Sequence, residues 1–193
     1  MHPRDDETRA APSSPPRPDW EGPVVDVLLR REAGVPLPAR ARSGDAGLDL
    51  VTTTDVTLPP GGRRTVGTGV SIALPLGTAA FVLSRSGLAA THGVTVLNAP
   101  GTVDAGYRGE VRVTLLNTDT TTAVELRAGD RVAQLVVLEL PAVHLVEVER
   151  LPGSERGEGG FGSTGRGGPA AAAVLATGHD AAGDPGPDDG GQQ

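Results

Sequence analysis

The sequence predicts a mostly β fold, a sandwich, jelly roll or barrel, formed by one domain between two polar tails. Six runs rich in Val, Leu and Ile alternate partly between apolar and polar positions, which is the pattern of half-buried strands. Segments of Gly, Pro, Asp and Asn separate these runs. Only one short stretch has the composition of a helix, so layers of strands must supply the core.

The elements are predicted in chain order. The six strands are VVDVLLRR at 24–31, RTVGTGVSIAL at 64–74, AAFVLS at 79–84, EVRVTLLN at 110–117, RVAQLVVLEL at 131–140 and VHLVEVER at 143–150. The stretch SGLAATHG at 86–93 predicts one or two turns of helix, and another strand begins near Asp49. The segment 98–113 predicts a hairpin with its turn at 104–109. With so few aromatic residues, the core must consist of Val, Leu and Ala, and Phe81 is expected in it.

Both ends of the chain differ in composition from the middle. Residues 1–22 and 166–193 are rich in Pro, Gly, Ala and Asp and poor in branched apolar side chains, so both are predicted to be disordered. A single domain of ordinary size remains at 23–165.

Charge and composition exclude several classes of function. The net charge is −7, but the tails hold nine of the 24 acids and four of the 17 arginines, which leaves the domain at −2. A general nucleic-acid binder would carry a basic face, so none is expected. The absence of Cys excludes disulfides and thiolate metal sites. No apolar run approaches a membrane span, and we expect a cytoplasmic protein without a membrane partner.

The closing stretch RGEGGFGSTG at 156–165 has the composition of a phosphate-binding loop. It contains G-x-G-x-x-G, but no strand leads into it and no helix follows, so a dinucleotide fold is rejected. Arg156 offers a guanidinium fork, the glycines allow close approach of backbone N–H groups, and Ser163 and Thr164 add hydroxyls. Phe161 supplies one aromatic plate, which suits a nucleotide. The alternative is a glycine-rich linker.

Five further positions admit a functional and a plain interpretation. Arg85 and Ser86 end a strand and begin a helical turn, which suits a phosphate, or they are a strand end and an N-cap. Asp104 is a candidate catalytic carboxylate, although a lone Asp in a turn usually makes an Asx hydrogen bond. Asp49 and Gln134 are polar residues among apolar neighbours, and either can simply face solvent.

Taken together, these segments resemble one family, the trimeric deoxyuridine triphosphate diphosphatases, or dUTPases. Its five motifs correspond in order to AGLDL at 46–50, RSGLA at 85–89, GTVDAGYRGE at 101–110, RVAQLVV at 131–137 and RGEGGFGSTG at 156–165. The resemblance covers residues 24–165 and leaves both tails outside it.

The resemblance implies a jelly-roll-like distorted β-barrel over residues 23–151, followed by a mobile arm at 152–165. It implies a homotrimer in which each site is built from several subunits. The implied reaction is Mg²⁺-dependent hydrolysis of dUTP to dUMP and pyrophosphate, which keeps uracil out of DNA and supplies dUMP for dTTP synthesis.

The resemblance also implies a role for each site residue. Asp104 would activate the water that attacks the α-phosphorus, and Tyr107 would lie against the deoxyribose. Asp49 and Gln134 would hold metal-bound waters. The other implied substrate contacts are Arg85, Ser86 and Gly87 toward the triphosphate, Asn98, Gly101, Thr102, Val103 and Asp104 at the uracil, Arg112 pointing into the site, and Arg156, Phe161, Gly162, Ser163 and Thr164 in the arm. Gln134 is also implied as a substrate-binding residue, without a stated part of the substrate.

Two other functions stay open at this point. A dCTP deaminase has a similar fold, but its catalytic glutamate would fall at Thr114, and its Ser-Ser pair is absent from RSGLA. A noncatalytic jelly-roll protein that kept the nucleotide pocket is the second alternative. Intact Asp104, Tyr107 and Arg156 argue against lost catalysis.

Overall fold

The structure, a computed structural model, describes residues 24–154, which contain ten β-strands and one α-helix. The elements are β1 (Leu28–Arg31), β2 (Leu48–Val51), β3 (Val56–Leu58), β4 (Arg63–Ala73), β5 (Thr78–Leu83), α1 (Ser86–His92), β6 (Val94–Val96), β7 (Gly101–Asp104), β8 (Glu110–Asn117), β9 (Val124–Leu126) and β10 (Arg131–Glu139). All of them belong to a compact unit that ends at Val143.

The strands form two four-stranded antiparallel sheets and one two-stranded sheet. The first sheet has the order β1-β4-β8-β6, the second has the order β2-β10-β5-β7, and β3 pairs with β9. Within residues 24–154 these sheets are open and do not close into a barrel. The prediction of a jelly-roll-like all-β fold with one short helix is confirmed.

Alternation along the long strands builds the core. In β8 the side chains of Val111, Val113 and Leu115 are at most 2% exposed, while the residues between them face outward. The inward residues of both four-stranded sheets join one apolar cluster of Val, Leu, Ile and Ala. Because no aromatic residue belongs to it, shape matching among branched side chains must provide the packing density.

Asn117 is a polar hub in this apolar interior. Its side chain is fully buried, and its Nδ2 donates to the carbonyls of Leu58 at 3.1 Å and Thr122 at 2.8 Å. A third contact joins Nδ2 to the carbonyl of Pro59 at 3.3 Å, and its Oδ1 accepts the N–H of Asp119 at 3.0 Å. One side chain therefore ties the turn before β4 to the turn after β8.

Asp119 continues this turn at the surface. Its carboxylate accepts the backbone N–H groups of Thr121 at 2.7 Å and Thr122 at 2.8 Å. Hydrogen bonds from those two N–H groups favour the charged form, so the pKa of Asp119 lies below its ordinary value. The turn is therefore most stable when this carboxylate is ionised.

Five of the six predicted strands are present with small shifts of their ends, and α1 is present as predicted. The predicted strand at 24–31 is shorter, since only Leu28–Arg31 pairs. The strand predicted at 143–150 is wrong: none of residues 143–154 forms a strand or helix, and Leu145 is 87% exposed. The predicted tails at 1–22 and 166–193 lie outside the described residues.

Two further predictions are wrong in detail. The segment 98–113 is not a hairpin, because β7 pairs with β5 and β8 pairs with β4 and β6, so the two strands belong to different sheets. Phe81 is half-buried rather than in the core. Its neighbours Ala80 and Val82 point into the core, so Phe81 lies on the opposite face of its sheet.

Asn117→Leu is expected to destabilise the fold while it keeps a similar side-chain volume. The substitution leaves several backbone groups without their partner, and we expect the free energy of unfolding to fall by about 3 kcal/mol. Denaturant unfolding at matched protein concentration measures it. The control is Thr118→Val at the next, exposed residue, which loses one hydrogen bond to Gly93. An equal loss in both variants would contradict the hub role.

Candidate active site

A pocket opens where β7 and β8 separate toward different sheets. Its volume is ≈ 220 Å³. Residues from β5, the segment before β7, β7 itself, the following turn and β8 line it: Val82, Asn98, Gly101, Thr102, Val103, Asp104, Tyr107, Glu110, Val111 and Arg112. The pocket thus brings together Asn98, Gly101 to Asp104, Tyr107 and Arg112, which the sequence analysis predicted to lie in one site.

The backbone edges beside this pocket are available to a ligand. Among residues 24–154, β7 is an edge strand that pairs with β5 alone, and β6 pairs with β8 only from Leu115 onward. Between Glu110 and Val113, β8 pairs with β4 alone among these residues. Two strand edges therefore face a slot and are partly open, since the carbonyls of Asp104 and Glu110 already accept from Tyr107. An open strand edge is the arrangement that can hydrogen-bond the edge of a planar base.

The turn between β7 and β8 presents the reactive side chains. Asp104 ends β7, and its backbone carbonyl accepts the N–H of Tyr107 at 3.0 Å, which closes a β-turn. The carboxylate of Asp104 is exposed, and no hydrogen bond from another described residue occupies it. Arg108 braces the turn by donating to the carbonyls of Ala105 at 2.6 Å and Tyr107 at 2.7 Å.

A second polar cluster lies at the other end of β5, centred on Asp49. Its Oδ1 accepts from Nε of Arg85 at 3.0 Å, and its Oδ2 accepts from a terminal nitrogen of Arg131 at 3.1 Å. Arg85 also donates to the backbone carbonyl of Arg131 at 3.1 Å. The guanidinium of Arg85 is therefore held by two partners, and one positive charge of the three-residue cluster is left unneutralised.

Gln134 and the start of α1 complete this cluster. Gln134 lies directly opposite Asp49 in the sheet, and its Nε2 donates to the carbonyl of Ser84 at 3.0 Å. A Cβ atom at Gly47 would lie 3.0 Å from Cβ and 3.1 Å from the amide carbon of Gln134, so a larger residue there would force the Gln134 side chain to move. Ser86 and Gly87 begin α1 and are exposed beside Arg85. The plain solvent-facing interpretation of Gln134 does not hold.

The two clusters are far apart within one chain. Asp104 lies opposite Ala79 at the start of β5, whereas Arg85 follows the end of that strand. Six residues of extended chain separate these points, which corresponds to ~20 Å. The structure thus brings together Asp49, Arg85 and Gln134, and separately the pocket residues.

Sequence reasoning missed several contributors. Glu110, Val111 and Val82 line the pocket, and Arg131 holds Asp49. Glu110 and Arg131 stood within the quoted motifs, but their roles depend on pairing between strands that are distant in sequence. The five predicted arm residues, Arg156, Phe161, Gly162, Ser163 and Thr164, lie outside the described residues. Within residues 24–154, no three His, Cys, Asp or Glu side chains cluster as metal ligands.

Comparison with known proteins identifies the family. The sequence pattern of the dUTPase family matches residues 33–165, which is more than half of the chain. The chain belongs to the dUTPase family. A deoxyuridine 5'-triphosphate nucleotidohydrolase of Thermobifida fusca is 61% identical over 143 residues, which is 74% of this chain and 80% of that protein. The corresponding protein of Nocardia farcinica is 56% identical over 138 residues, 72% of this chain and 84% of its own length.

Solved dUTPase structures have the same fold. The dUTPase of Staphylococcus bacteriophage 80alpha, solved with dUPNHPP, is 26% identical with a TM-score of 0.67, and the match covers 72% of this chain and 98% of that one. A mutant dUTPase of phage phi11, described with a structural Mg(II) ion, is 22% identical with a TM-score of 0.60 over 65% of this chain and 97% of its own. No helix among the described residues is long and apolar enough to cross a bilayer. This chain is thus a dUTPase-family enzyme that hydrolyses dUTP.

Proposed function

We propose that this enzyme cleaves dUTP to dUMP and pyrophosphate by attack of an Asp104-activated water on the α-phosphorus. The observation that carries the proposal is the slot between β7 and β8. Asp104, Tyr107 and two partly open strand edges surround one pocket there, with a volume of ≈ 220 Å³. Asp104 accepts a proton as the water oxygen bonds to phosphorus, and the bond from that phosphorus to the bridging oxygen breaks to release pyrophosphate.

The base would be read by Asn98 and the backbone of Gly101 to Asp104. A backbone edge offers both donors and acceptors in fixed positions, and uracil presents the complementary pattern. The 4-amino group of cytosine is a donor, and it would face the protein donor that the O4 acceptor of uracil satisfies. Both donors would then be buried without a partner, and an unpaired buried polar group costs about 1–3 kcal/mol of binding free energy. Tyr107 would lie against the sugar and leave no room for a 2′-hydroxyl. Arg112, exposed on the pocket wall, would contact the substrate.

The triphosphate would be held by the cluster around Asp49. Arg85 is already oriented by Asp49 and Arg131, so little side-chain entropy is lost when it binds phosphate. Ser86 and Gly87 add a hydroxyl and backbone groups beside it. Fixed donors at the leaving pyrophosphate stabilise the charge that develops there.

The residues present fit Mg²⁺ as acceptors for its bound waters rather than as direct ligands. Each oxygen of Asp49 accepts one arginine and keeps a further lone pair, and Gln134 donates through Nε2 while its Oε1 still accepts. Two arginines beside Asp49 oppose direct binding of a cation. When bound, Mg²⁺ would neutralise phosphate charge while it keeps several waters.

The separation of the two clusters supports a homotrimer with shared sites. A span of ~20 Å along β5 is too long for one triphosphate to reach both Asp104 and Arg85 of the same chain. Between the clusters, the outer face of the sheet carries the half-buried apolar side chains of Phe81, Val136 and Leu138. A second copy seated on this apolar face would complete the site.

The arm and the location stay predictions from the sequence. Residues 152–165 would close over the occupied site, with Arg156 at the far phosphates, Phe161 over the uracil, and Gly162, Ser163 and Thr164 at phosphate oxygens. A cytoplasmic location is expected. The deaminase alternative loses support, because Thr114 is hydrogen-bonded to Thr65 on β4 at 2.9 Å and no carboxylate stands there.

The purified protein with Mg²⁺ is expected to release pyrophosphate from dUTP at least about 100-fold more efficiently than from UTP, dTTP or dCTP. The sugar and base contacts above exclude the three competitors. Comparing kcat/KM across the four nucleotides measures this selectivity. Comparable efficiency on UTP would remove the sugar role of Tyr107, and ammonia release from dCTP would favour the deaminase.

Two inactive variants are expected to restore activity when they are assembled together. Asp104→Asn and Arg85→Ala should each lose roughly 10²–10⁴-fold in turnover, since one lacks the base and the other a phosphate donor. If sites are shared between the chains of a trimer, about a third of the sites in a co-expressed mixed trimer would combine an intact Asp104 of one chain with an intact Arg85 of another. Differently tagged chains allow the mixed species to be isolated. No recovery would mean that each site lies within one chain.

Truncation after Leu151 is expected to leave the β core folded while kcat/KM falls by about 10²-fold or more, because the arm's substrate contacts are lost. Circular dichroism and pyrophosphate release measure the two effects. The matched control is truncation after Gly165, which removes only the predicted tail and should retain activity. Equal activity of both truncated proteins would contradict the arm hypothesis and would favour the alternative that residues 156–165 are a linker.

A further inference from the structure

The ring of Tyr107 occupies the space in which a side chain at position 109 would stand. A Cβ atom built on Gly109 would lie 2.7 Å from Cζ and 3.1 Å from Cε2 of Tyr107. Real Cβ atoms essentially never show contacts below 3.0 Å, so the contact with Cζ means that one of the two groups would have to move. The φ of Gly109 is not in the left-handed region, so its backbone conformation alone does not require glycine.

The hydroxyl end of Tyr107 is held by Glu110. The hydroxyl donates to the backbone carbonyl of Glu110 at 2.9 Å. This bond fixes the direction of the hydroxyl, and the absence of a side chain at 109 leaves the ring its place beside the turn. The ring is otherwise 45% exposed, so few other contacts restrain it.

Glu110 is itself anchored to the neighbouring strand. Its carboxylate accepts the N–H of Gly69 at 2.8 Å. The register between β4 and β8 shifts in the interval from Gly67 to Ser71, so this N–H takes part in a bulge rather than in the regular ladder. The carboxylate thereby fixes the residue whose carbonyl receives the phenol.

We infer that Gly109 and Glu110 are positioning residues that set sugar specificity by holding the ring of Tyr107 across the pocket. The missing side chain at 109 lets the ring lie flat over the turn, and Glu110 holds its hydroxyl end. The inference rests on the proposed role of Tyr107 against the deoxyribose. Any side chain at 109 would displace the ring and open space for a 2′-hydroxyl.

Gly109→Ala tests the inference, with Gly106→Ala as the matched control. Both glycines lie in the same turn, but nothing stands within 4 Å of a Cβ at Gly106. We expect Gly109→Ala to lower the ratio of kcat/KM for dUTP over UTP by about tenfold and Gly106→Ala to leave it unchanged. In a Tyr107→Ala background, Gly109→Ala should change the ratio little, because there is no ring to displace.

A second readout does not depend on activity. Tyr107 is the only tyrosine in the chain, so protein labelled with ring-¹³C tyrosine gives one set of tyrosine resonances. These resonances should shift in Gly109→Ala and stay in place in Gly106→Ala. Unshifted resonances in Gly109→Ala, or an equal fall of the ratio in the Tyr107→Ala background, would overturn the inference.

The Glu110 variants keep the inference testable if Gly109→Ala folds poorly. Glu110→Ala removes the anchor to Gly69 without introducing a clash, and it should lower the dUTP over UTP ratio. Glu110→Gln retains an acceptor oxygen and should keep the dUTP over UTP ratio of kcat/KM near the wild-type value. An unchanged ratio in Glu110→Ala would overturn the role of Glu110. If the wild-type enzyme does not discriminate dUTP from UTP, the proposed role of Tyr107 fails. Failure of the proposed function can therefore be distinguished from failure of the inference about Gly109 and Glu110.

Discussion

The pairing of β5 with β7 on one side and β10 on the other is the constraint on which both halves of the site depend. The register places Val82 opposite Gly101 and Ala79 opposite Asp104, which fixes the slot at one edge. The same strand places Leu83 opposite Gln134, next to the cluster around Asp49. A slip of one residue would turn these side chains to the other face of the sheet, so the core and the site are specified together.

The slot itself is a consequence of topology rather than of any special side chain. If β7 and β8 formed a hairpin, their facing N–H and C=O groups would bond each other and no edge would remain for a base. Because the turn at 105–109 connects two different sheets, the facing edges of β7 and β8 do not bond each other and stay partly open beside Asp104 and Tyr107. The proposed recognition of a base by backbone atoms would depend on this divergence of the two sheets.

The sequence predicted those features that depend on local pattern. Strand β8 was placed with both its ends, because Val111, Val113 and Leu115 alternate strictly with outward residues. The three-residue strands β3, β6 and β9 were missed, since three residues are too few to show a period. The false hairpin has a related cause: turn residues indicate that the chain reverses, but not whether the flanking strands pair.

Long-range contacts were beyond the reach of the pattern. The resemblance assigned Asp49 and Arg85 to one predicted site, but it did not predict the ion pair that joins these positions 36 residues apart. Its geometry is visible only after β2 and β5 both pair with β10. Phe81 was misplaced for the same reason, because the face of a lone aromatic depends on register and not on its neighbours in sequence.

The paired state of Asp49 indicates a balance between charge and side-chain order in the cluster that is proposed to hold the triphosphate. A free Arg85 would present a full positive charge but would lose rotamer freedom on binding. Asp49 neutralises the charge of Arg85 and also fixes the position of its guanidinium. Arg131, which pairs with the same carboxylate, leaves the three-residue cluster with a net charge of +1. Because the side chain of Arg85 is 25% exposed, its attraction to Asp49 is less screened than that of a surface pair. The arrangement favours a donor that is ready in place over one that must be ordered by each substrate, which is the condition under which fixed dipoles assist phosphoryl chemistry most.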